Sequence, residues 1–441
     1  MSQGISEQAQ VEAPQTEVKL AEGSILTDDF IRQLINVGQI DILVGLPTHN
    51  NASTIGPVVS AIQVGLLRAF PRERAAIINV DGGSRDGTPD LVTGASIDDL
   101  RHASNLYALR TLHSISTQYS PAPSSGIALR TILAAAELLQ ARACVVISPE
   151  STNIEPDWIA RLLHPIYNDN YDLVTPTYRR QKFEGLLVRN LIYPMTRALY
   201  SWRIREPYPS DFGFSGQLGS QFLAQNAWSH EVGQTGAEIN LAITAMAGDF
   251  RLCQSFLGMK LHADRTATDL VPALRQTVGT LFWSLDNHFP AWSTRSGSQP
   301  IPTQGAESEV TLEPVRVNRQ RLMEMFRSGI AELESVFKSI LSPATLSELN
   351  RIATLEEAEF RYPAELWVKT IYEFAASYHK SVISRDHIVQ ALAPLYRGRI
   401  FTFLTENRNG TTEDIENNVE LLCLEFERLK PYLLEVWNGR E

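Results

Sequence analysis

The sequence predicts an α/β protein with a doubly wound sheet, covered by helices on both faces, and a helical region at the C-terminal end. Apolar segments lead directly into polar loops at four places, and the first two loops are followed by helical patterns. Strand, loop and helix in alternation are typical of parallel sheets. From about residue 315 to the end the apolar periodicity is helical, which predicts a separate helical layer or domain.

The elements are predicted in chain order from this periodicity. Residues 1–22 are rich in Gln, Glu, Ser and Ala and predict a flexible leader. A short helix follows, with Thr27 as its N-cap before two acidic residues. An amphipathic helix is predicted at 54–68 and another beginning near Pro89. The predicted buried strands are 42–46, 75–80, 143–148 and 171–176, with a strand-like segment at 250–258.

A length of 441 residues favours two domains. We expect an N-terminal α/β domain over 23–290 and a helical domain over 315–441. The stretch between them, 291–314, is rich in Ser, Pro, Gly and Gln, which predicts a linker or exposed loop. The helical domain contains three clear helical patterns, at 321–341, 363–382 and 418–437.

Composition excludes several classes of protein. The formal net charge of −11 argues against a nucleic-acid-binding surface, which needs clustered Lys and Arg. No apolar run is long enough to span a bilayer, and the polar start of the chain does not match a signal peptide. Three distant cysteines, Cys144, Cys253 and Cys423, predict buried thiols and a reducing, cytoplasmic location.

Polar residues follow the first two predicted strands. Pro47, Thr48 and Asn50 come after the first strand, in a pattern that either contacts a base or ribose or forms an ordinary turn. Asp81 and Gly82 begin the run DGGSRDGT after the second strand. A carboxylate followed by two glycines allows close approach of the backbone to a nucleotide. Ser84 and Asp86, in the same run, are better explained as residues that close the turn.

Further candidates follow the later strands. Glu150, in ISPESTN, is placed to hold a divalent cation against a diphosphate, although a capped turn is the plain alternative. His262, in LHADR, contacts either a metal or a phosphate, or is structural. Arg179, Arg180 and Lys182 form a basic loop that suits a carboxylate or phosphate, or is simply solvated. The loop around Asp211 is typical of one that encloses a substrate, and Glu238 is either an active-site carboxylate or a first-turn helix residue.

Taken in order, these stretches resemble the retaining glycosyltransferases of the type A (GT-A) fold. The likeness is closest to glucosylglycerate, mannosylglycerate and glucosyl-3-phosphoglycerate synthases. It extends over most of 40–440, and it rests on the ordered set of motifs. The segments that carry it are DILVGLPTHNNASTIG, VDGGSRDGT, PDW, LIYPMTRALYSWRIREP, DFGFSGQ, GAEINLAI, LHADR, ELWVKTIYEFAASYH and LAPLYRGR.

The resemblance implies a mixed GT-A sheet, a nucleotide-diphosphate sugar donor such as a UDP- or GDP-hexose, and Mg²⁺ or Mn²⁺ as cofactor. It also implies a small hydroxy-acid acceptor, glycerate or phosphoglycerate, and a product such as glucosylglycerate, a compatible solute. Glu150 and His262 match the metal positions, and Glu238 and Asp211 the catalytic region. The nucleotide would contact Pro47, Thr48, Asn50, Asp81, Gly82, Ser125 and Ser148, and the acceptor Arg179, Arg180 and Lys182.

The sequence departs from the family at three places. Ser148-Pro149-Glu150 stands where relatives have DxD, so one acidic position is missing. Ser125 replaces a lysine, and KFEGLLV (182–188) replaces a threonine-bearing acceptor loop. Fewer ligand charges weaken cation binding.

These departures keep a second hypothesis open, that of a catalytically silent, glycosyltransferase-like protein that binds a nucleotide sugar or a protein partner. A nucleotidyltransferase is the third alternative, but LPTHNN lacks the Gly-rich basic signature that such an enzyme needs directly after its first strand. The helical domain is predicted to complete the acceptor pocket or to form a homo-oligomer interface.

Overall fold

A computed structural model describes residues 26–93, 111–119, 125–225, 228, 236–261, 270–305 and 319–439. The predicted leader at 1–22 and the candidate metal ligand His262 lie outside the described residues.

The centre of the molecule is an eight-stranded mixed sheet with the order β3-β2-β1-β4-β6-β5-β7-β8. Only β6 among these strands runs antiparallel to its neighbours. The predicted fold class, an α/β protein with a doubly wound mixed sheet and a helical C-terminal region, is therefore confirmed. The strands are β1 (Ile42–Thr48), β2 (Arg74–Asp81), β3 (Thr111–Gln118), β4 (Ala143–Val146), β5 (Leu173–Arg179), β6 (Phe212–Ser215), β7 (Leu252–Met259) and β8 (Thr303–Gln304).

The helices of the α/β part cover both faces of this sheet. In chain order they are α1 (Asp28–Val37), α2 (Ile55–Ala69), α3 (Ser125–Leu138), α4 (Asp157–Tyr167), α5 (Tyr193–Tyr200), α6 (Gly216–Leu223), α7 (Ala237–Ala247), α8 (Leu270–Leu274), α9 (Thr280–Asn287) and α10 (Phe289–Thr294). Two π-helical turns, Val188–Ile192 and Arg275–Gly279, precede α5 and α9.

The apolar residues of β1 show why both faces are covered. Leu43 belongs to one hydrophobic cluster, whereas Ile42 and Val44 belong to another on the opposite face. Successive side chains of a strand point to opposite faces, so a continuous apolar strand needs a helical layer on each side. Gly45 in β1 faces α3. The position needs a glycine, because an added Cβ would lie only 2.7 Å from the Ile132 side chain.

The C-terminal part is helical and shares the core of the α/β part. Its helices are α11 (Arg319–Glu332), α12 (Glu334–Ile340), α13 (Pro343–Ala353), α14 (Ala364–Lys380), α15 (Arg385–Glu406), α16 (Thr412–Arg428) and α17 (Lys430–Asn438). One hydrophobic cluster extends from Phe30 in α1 to Trp437 in α17. Helix α16 packs on α5, so this helical extension lies against the α/β part.

The Ser- and Pro-rich stretch at 291–314 contains regular structure within its described residues. Helix α10 ends at Thr294, and β8 pairs with β7 through Gln254↔Thr303. Residues 306–318 lie outside the described residues. The first half of the stretch is thus part of the α/β layer, because it supplies the edge strand of the sheet.

Two further general expectations concern membranes and thiols. Among the helices that the structure describes, none has the length and apolar character needed to cross a bilayer. All three cysteines are buried and free, as predicted. Burial raises the pKa of Cys253 and Cys423 to about 12, so neither thiol is a reactive thiolate near neutral pH.

Candidate active site at the carboxyl edge of the sheet

The loops that follow β1 and β2 are joined into one rigid double loop, residues 48–54 and 81–88. The Gly82 N–H donates to the Thr48 carbonyl at 2.8 Å, and the Asn50 N–H donates to the Ser84 hydroxyl at 2.8 Å. The Ala52 N–H donates to Asp86 at 2.9 Å. Asn50 and Gly83 have positive φ angles of 54° and 83°, which bend the two loops toward each other. The expectation that Ser84 and Asp86 close the turn is confirmed.

Asp81 lies at the base of the double loop and is fully buried. Its carboxylate accepts hydrogen bonds from the Gly83 N–H at 3.0 Å and from the Ser84 N–H at 2.8 Å. The hydroxyls of Ser84 and Thr48 lie 2.5 and 3.0 Å from its Oδ1. The carboxylate therefore supports the turn. A nucleotide contact by Asp81 stays a prediction. Such a contact requires one of these hydrogen bonds to be replaced by a hydrogen bond from the nucleotide.

The loop after β4 joins the double loop to the end of β7. The Thr54 hydroxyl donates to the Pro149 carbonyl at 2.7 Å. On its other side, the Thr152 N–H donates to the Leu261 carbonyl at 3.1 Å, and the Leu261 N–H donates to Asn153 at 2.8 Å. Half-buried Glu150 therefore lies between the double loop and Leu261, the residue before His262.

A buried polar cluster connects the ends of four neighbouring strands. Asp211 precedes β6, which is antiparallel, so it lies at the same edge as the carboxyl ends of β4, β5 and β7. Its carboxylate accepts from the Ser148 N–H at 2.8 Å and from the Tyr178 hydroxyl at 2.6 Å. It also forms an ion pair with Lys260. We call Ser148, Tyr178, Asp211 and Lys260 the Asp211 cluster.

Charge and burial explain the hydrogen-bond directions in the Asp211 cluster. Burial, together with the neighbouring Asp211 charge, raises the pKa of Tyr178 well above its ordinary value. Tyr178 therefore keeps its proton and donates it to the carboxylate. The Lys260 side chain is 2% exposed and that of Asp211 is 0% exposed, so each buried charge needs the other. The geometry gives Asp211 a role in positioning the strand ends.

A cavity of about 310 Å³ lies beside this cluster, over one face of β5, β7 and β8. Tyr178 belongs to both the cluster and the cavity wall. The π-helical turn Val188–Ile192, α5 and the first two turns of α16 cover the cavity, so the helical extension supplies part of its wall. We call it the basic pocket, because its charged lining residues are Arg179, Arg180, Arg189, Arg205, Glu206 and Glu416.

The basic pocket carries four positive and two negative charges, a net charge of +2. Glu206 accepts two hydrogen bonds from Arg180, each 2.7 Å long. This fork raises the pKa of the Arg180 guanidinium despite the opposing effect of its burial. A partly enclosed pocket with excess positive charge attracts a small anion.

The remaining predicted residues lie at several places. Lys182 points away from the basic pocket, with its ammonium donating to the Arg408 carbonyl at 2.9 Å. Glu238 is half-buried in the first turn of α7, where the helix dipole favours a carboxylate. Ser125 begins α3, directly after residues that are not described, and Pro47 is half-buried in β1. The structure therefore brings together Thr48, Asn50, Asp81, Gly82, Ser148, Glu150 and Asp211, with Arg179 and Arg180 in the adjacent pocket.

The described residues do not by themselves form a site for Mg²⁺ or Mn²⁺. In the described part of the chain, no group of three His, Cys, Asp or Glu side chains lies close enough to hold a metal ion. The nearby carboxylate of Asp211 is engaged by Lys260. Glu150 alone provides too little negative charge for a resident divalent cation. Metal binding by Glu150 together with His262 stays a prediction.

Five residues at this site have no predicted role: Tyr178, Lys260, Arg189, Arg205 and Glu416. The sequence does contain one indication for Arg189 and Arg205. They lie in a segment whose other residues are mostly apolar, and arginines in such segments are commonly buried and paired. Glu416 gives no local signal, since its partners Arg189 and Arg205 are more than two hundred residues away.

No family model matches the chain, and no match was found among curated proteins. Solved structures of glucosyl-3-phosphoglycerate synthase from Mycobacterium tuberculosis are similar to it. One, in complex with Mg²⁺ and UDP, is 22% identical with a TM-score of 0.42, covering 59% of this chain and 83% of that chain. Another, in complex with Mn²⁺, UDP and phosphoglyceric acid, is 23% identical with a TM-score of 0.41, covering 57% of this chain and 81% of the other.

Three of the similar solved structures are glucosyl-3-phosphoglycerate synthases from Mycobacterium tuberculosis. The identities lie below 25%, so the chemistry of this chain has to be argued from its own residues.

Proposed function

We propose that this protein transfers a hexose from a nucleotide-diphosphate sugar to a small hydroxy-acid acceptor such as glycerate or phosphoglycerate, with retention at the anomeric carbon. The observation that carries the proposal is the continuous set of contacts along the carboxyl edge of the sheet. It extends from the double loop, through Pro149 and Ser148, to Asp211 and Lys260. Ligands of open α/β sheets bind at this edge.

The donor would lie across the double loop and the loop after β4. The double loop is held together by backbone N–H groups that donate to backbone and side-chain oxygens of the other loop, and its outer residues His49, Asn50 and Gly83 are exposed. This gives a preorganised surface for a base and ribose, without a change in the loops on binding. The diphosphate would then reach the Ser148–Glu150 segment, directly above the Asp211 cluster.

The acceptor would bind in the basic pocket. Its positive excess suits the carboxylate or phosphate of a hydroxy acid, and arginine forks bind both groups through paired hydrogen bonds. Tyr178 separates this pocket from the Ser148 side of the Asp211 cluster. For transfer to occur, an acceptor whose anionic group is held by Arg179 and its neighbours would present its hydroxyl past Tyr178 to the sugar.

The proposed step is a substitution at the anomeric carbon. The acceptor oxygen bonds to this carbon on the face from which the diphosphate departs, and the bond between the carbon and the diphosphate oxygen breaks. The acceptor's proton passes to the departing diphosphate oxygen. The chain's part is to hold donor and acceptor in this geometry, which is a large contribution to catalysis. No covalent nucleophile is assigned.

The direct test is a panel of UDP- and GDP-hexoses, each with glycerate or 3-phosphoglycerate and with or without Mn²⁺. We expect release of UDP or GDP that depends on the acceptor, together with a glycosylated hydroxy acid of retained configuration by NMR. Failure of every nucleotide sugar to bind, measured by calorimetry, would contradict the proposal.

Glu150→Ala tests the metal prediction. If Glu150 holds a cation against the diphosphate, Mn²⁺-dependent turnover falls by about a hundredfold, because the charge on the leaving group is then less well stabilised. The melting temperature should stay the same, since Glu150 is a half-buried loop residue. Glu155→Ala, an exposed carboxylate in the same loop, is the matched control and should keep full activity. Equal turnover of the two variants would remove Glu150 from the site.

Arg179→Gln tests the acceptor site. Loss of one guanidinium from the basic pocket should raise the KM for the acceptor by about tenfold to a hundredfold, as expected for a charge-assisted contact. The KM for the donor should change little. Arg32→Gln, an exposed substitution in α1, is the control. A change in donor KM alone would move Arg179 out of the acceptor site.

A second candidate function is nucleotide-sugar binding without turnover. It is favoured by the full engagement of Asp81 and Asp211 within the protein and by Ser148 at the first DxD position. Calorimetric binding of a nucleotide sugar, with no product from any acceptor in the panel, would select this alternative.

A further inference from the structure

Glu416 occupies an unexpected place in the basic pocket. It lies in the second turn of α16, in the helical extension, and its carboxylate contacts two arginines of the α/β part. One oxygen forms an ion pair with Arg205, and the other lies 3.4 Å from Arg189. A carboxylate of the protein therefore already sits where an anionic ligand would find its cations.

The charges of the pocket are unevenly matched. Arg180 is fully engaged by Glu206 through two hydrogen bonds. Arg189 and Arg205, by contrast, share the single carboxylate of Glu416. Burial lowers the pKa of Arg189 although Glu416 opposes this effect, whereas the pKa of Arg205 is raised because its interactions, with Glu416 above all, outweigh its burial. The uncompensated charge therefore lies on Arg189. One more negative charge at this point would be favourable.

We propose that Glu416 is a built-in competitor that takes the place of the ligand's anion, so that only an anion that binds the arginines strongly, such as a dianionic phosphate ester, occupies the basic pocket. The proposal rests on the proposed function in one respect, that the basic pocket is the acceptor site. Glu416 would be displaced from Arg189 and Arg205 when the ligand binds.

The selectivity follows from an exchange of charges. A monoanionic carboxylate that displaces Glu416 replaces one negative charge with another, so it gains no net attraction. A dianionic phosphate ester brings a second charge to two arginines and also forms more hydrogen bonds with their guanidinium forks. A competitor built into the site lowers the affinity of every displacing anion by the same factor, so the weakly bound monoanion no longer occupies the pocket whereas the strongly bound dianion still does.

The position of Glu416 allows this displacement. Its side chain is 35% exposed, so it can turn toward solvent without a buried charge being left behind. The helix itself stays anchored, because Thr411 and Asp414 form a capping box at its start and Arg197 binds Glu420 one turn further on. Only a side-chain rotation is required.

The experiment measures anion binding without any nucleotide sugar. Inorganic phosphate, which is largely dianionic at about pH 8, and acetate are titrated by calorimetry into the full-length wild type, Glu416→Gln and Glu413→Gln at constant ionic strength. Glu413 is the matched control, because it is an exposed acid in the first turn of the same helix and does not line the pocket. Melting temperatures of all three proteins are compared.

We expect wild type and Glu413→Gln to bind phosphate in preference to acetate. Glu416→Gln should bind both anions more tightly and by about the same factor, roughly tenfold, because neither anion then has to displace a carboxylate of the protein. Glu416→Asp, whose carboxylate is withdrawn by one methylene, should show a smaller change in the same direction and provides the test if the glutamine variant does not fold.

The proposal is overturned if neither Glu416 variant gains affinity, or if Glu413→Gln gains as much. Because the titrations contain no sugar donor, they are read independently of transfer activity. If the protein shows no transfer activity but the anion affinities change as expected, the proposed function is contradicted and the role of Glu416 is supported.

Discussion

Lys260→Met should lower the free energy of unfolding by about 3–5 kcal/mol, since removal of one partner leaves the buried Asp211 charge uncompensated. Both side chains of this pair are almost completely buried. We expect turnover to be lost as well, because Asp211 holds Ser148 and Tyr178 in place at the ends of β4 and β5. Urea denaturation and the turnover assay on the same preparations measure the two effects.

Lys338→Met is the matched control for Lys260→Met. Its partner is Glu334, and both side chains are more than half exposed, so the loss should stay below about 1 kcal/mol. The double variant Lys260→Met/Asp211→Asn should recover part of the lost stability, because it removes the unpaired charge and keeps an acceptor for the Ser148 N–H. Equal stability of Lys260→Met and Lys338→Met would show that the buried ion pair does not hold the strand ends together.

Arg197→Met should destabilise the protein by about 1.5–3 kcal/mol, less than Lys260→Met, because Glu420 is 41% exposed and its charge is partly solvated once the arginine is lost. The Arg197 side chain is 0% exposed and joins α5 of the α/β part to α16 of the helical extension. The guanidinium donates to Glu420 at 2.5 and 2.8 Å and to Glu427 at 2.7 Å. Loss of these bonds leaves two carboxylates without their cation at the junction. Chemical denaturation, together with limited proteolysis of the helical extension, measures the effect.

Arg351→Met provides the control for Arg197→Met. Arg351 also binds a glutamate through a two-point contact, but it does so within α13 and at the surface. Exposed pairs of this kind contribute about 1 kcal/mol or less. If Arg197→Met were as stable as Arg351→Met, the junction between the two parts would have to depend on the apolar contacts of α16 with α5 alone.

The strands that the sequence predicts correctly are the apolar ones. β1, β2, β4, β5 and β7 have enough consecutive buried residues to be recognised from composition. β3 and β6 lack such a run: TLHSISTQ contains only two apolar residues, Leu112 and Ile115, and Gly213 separates the two phenylalanines of FGFS. Gly213 in β6 is required by packing against α4, since a Cβ there would lie 2.5 Å from the Leu162 carbonyl oxygen.

The site divides in the same way into local and long-range parts. The turn DGGSRDGT could be predicted from its own residues. Ser84 closes it through a hydrogen bond to Asp81, and Asp86 through one from Thr88, and all four residues lie within the same short run. The engagement of Asp211 by Lys260 depends on residues 49 positions apart, and that of Arg197 by Glu420 on residues 223 positions apart. Such pairs are created by the order of the strands and by the docking of α16, and no local pattern contains either.

The polar ends of neighbouring strands are proposed to form one crevice for an activated sugar, with an anion pocket beside it. A crystal structure of the protein with a UDP- or GDP-hexose and 3-phosphoglycerate would show whether they do. We expect the nucleotide over the double loop, the diphosphate against Ser148–Glu150 and the phosphoglycerate among the arginines of the basic pocket. A nucleotide sugar bound on another surface, with the carboxyl edge of the sheet empty, would contradict the proposal.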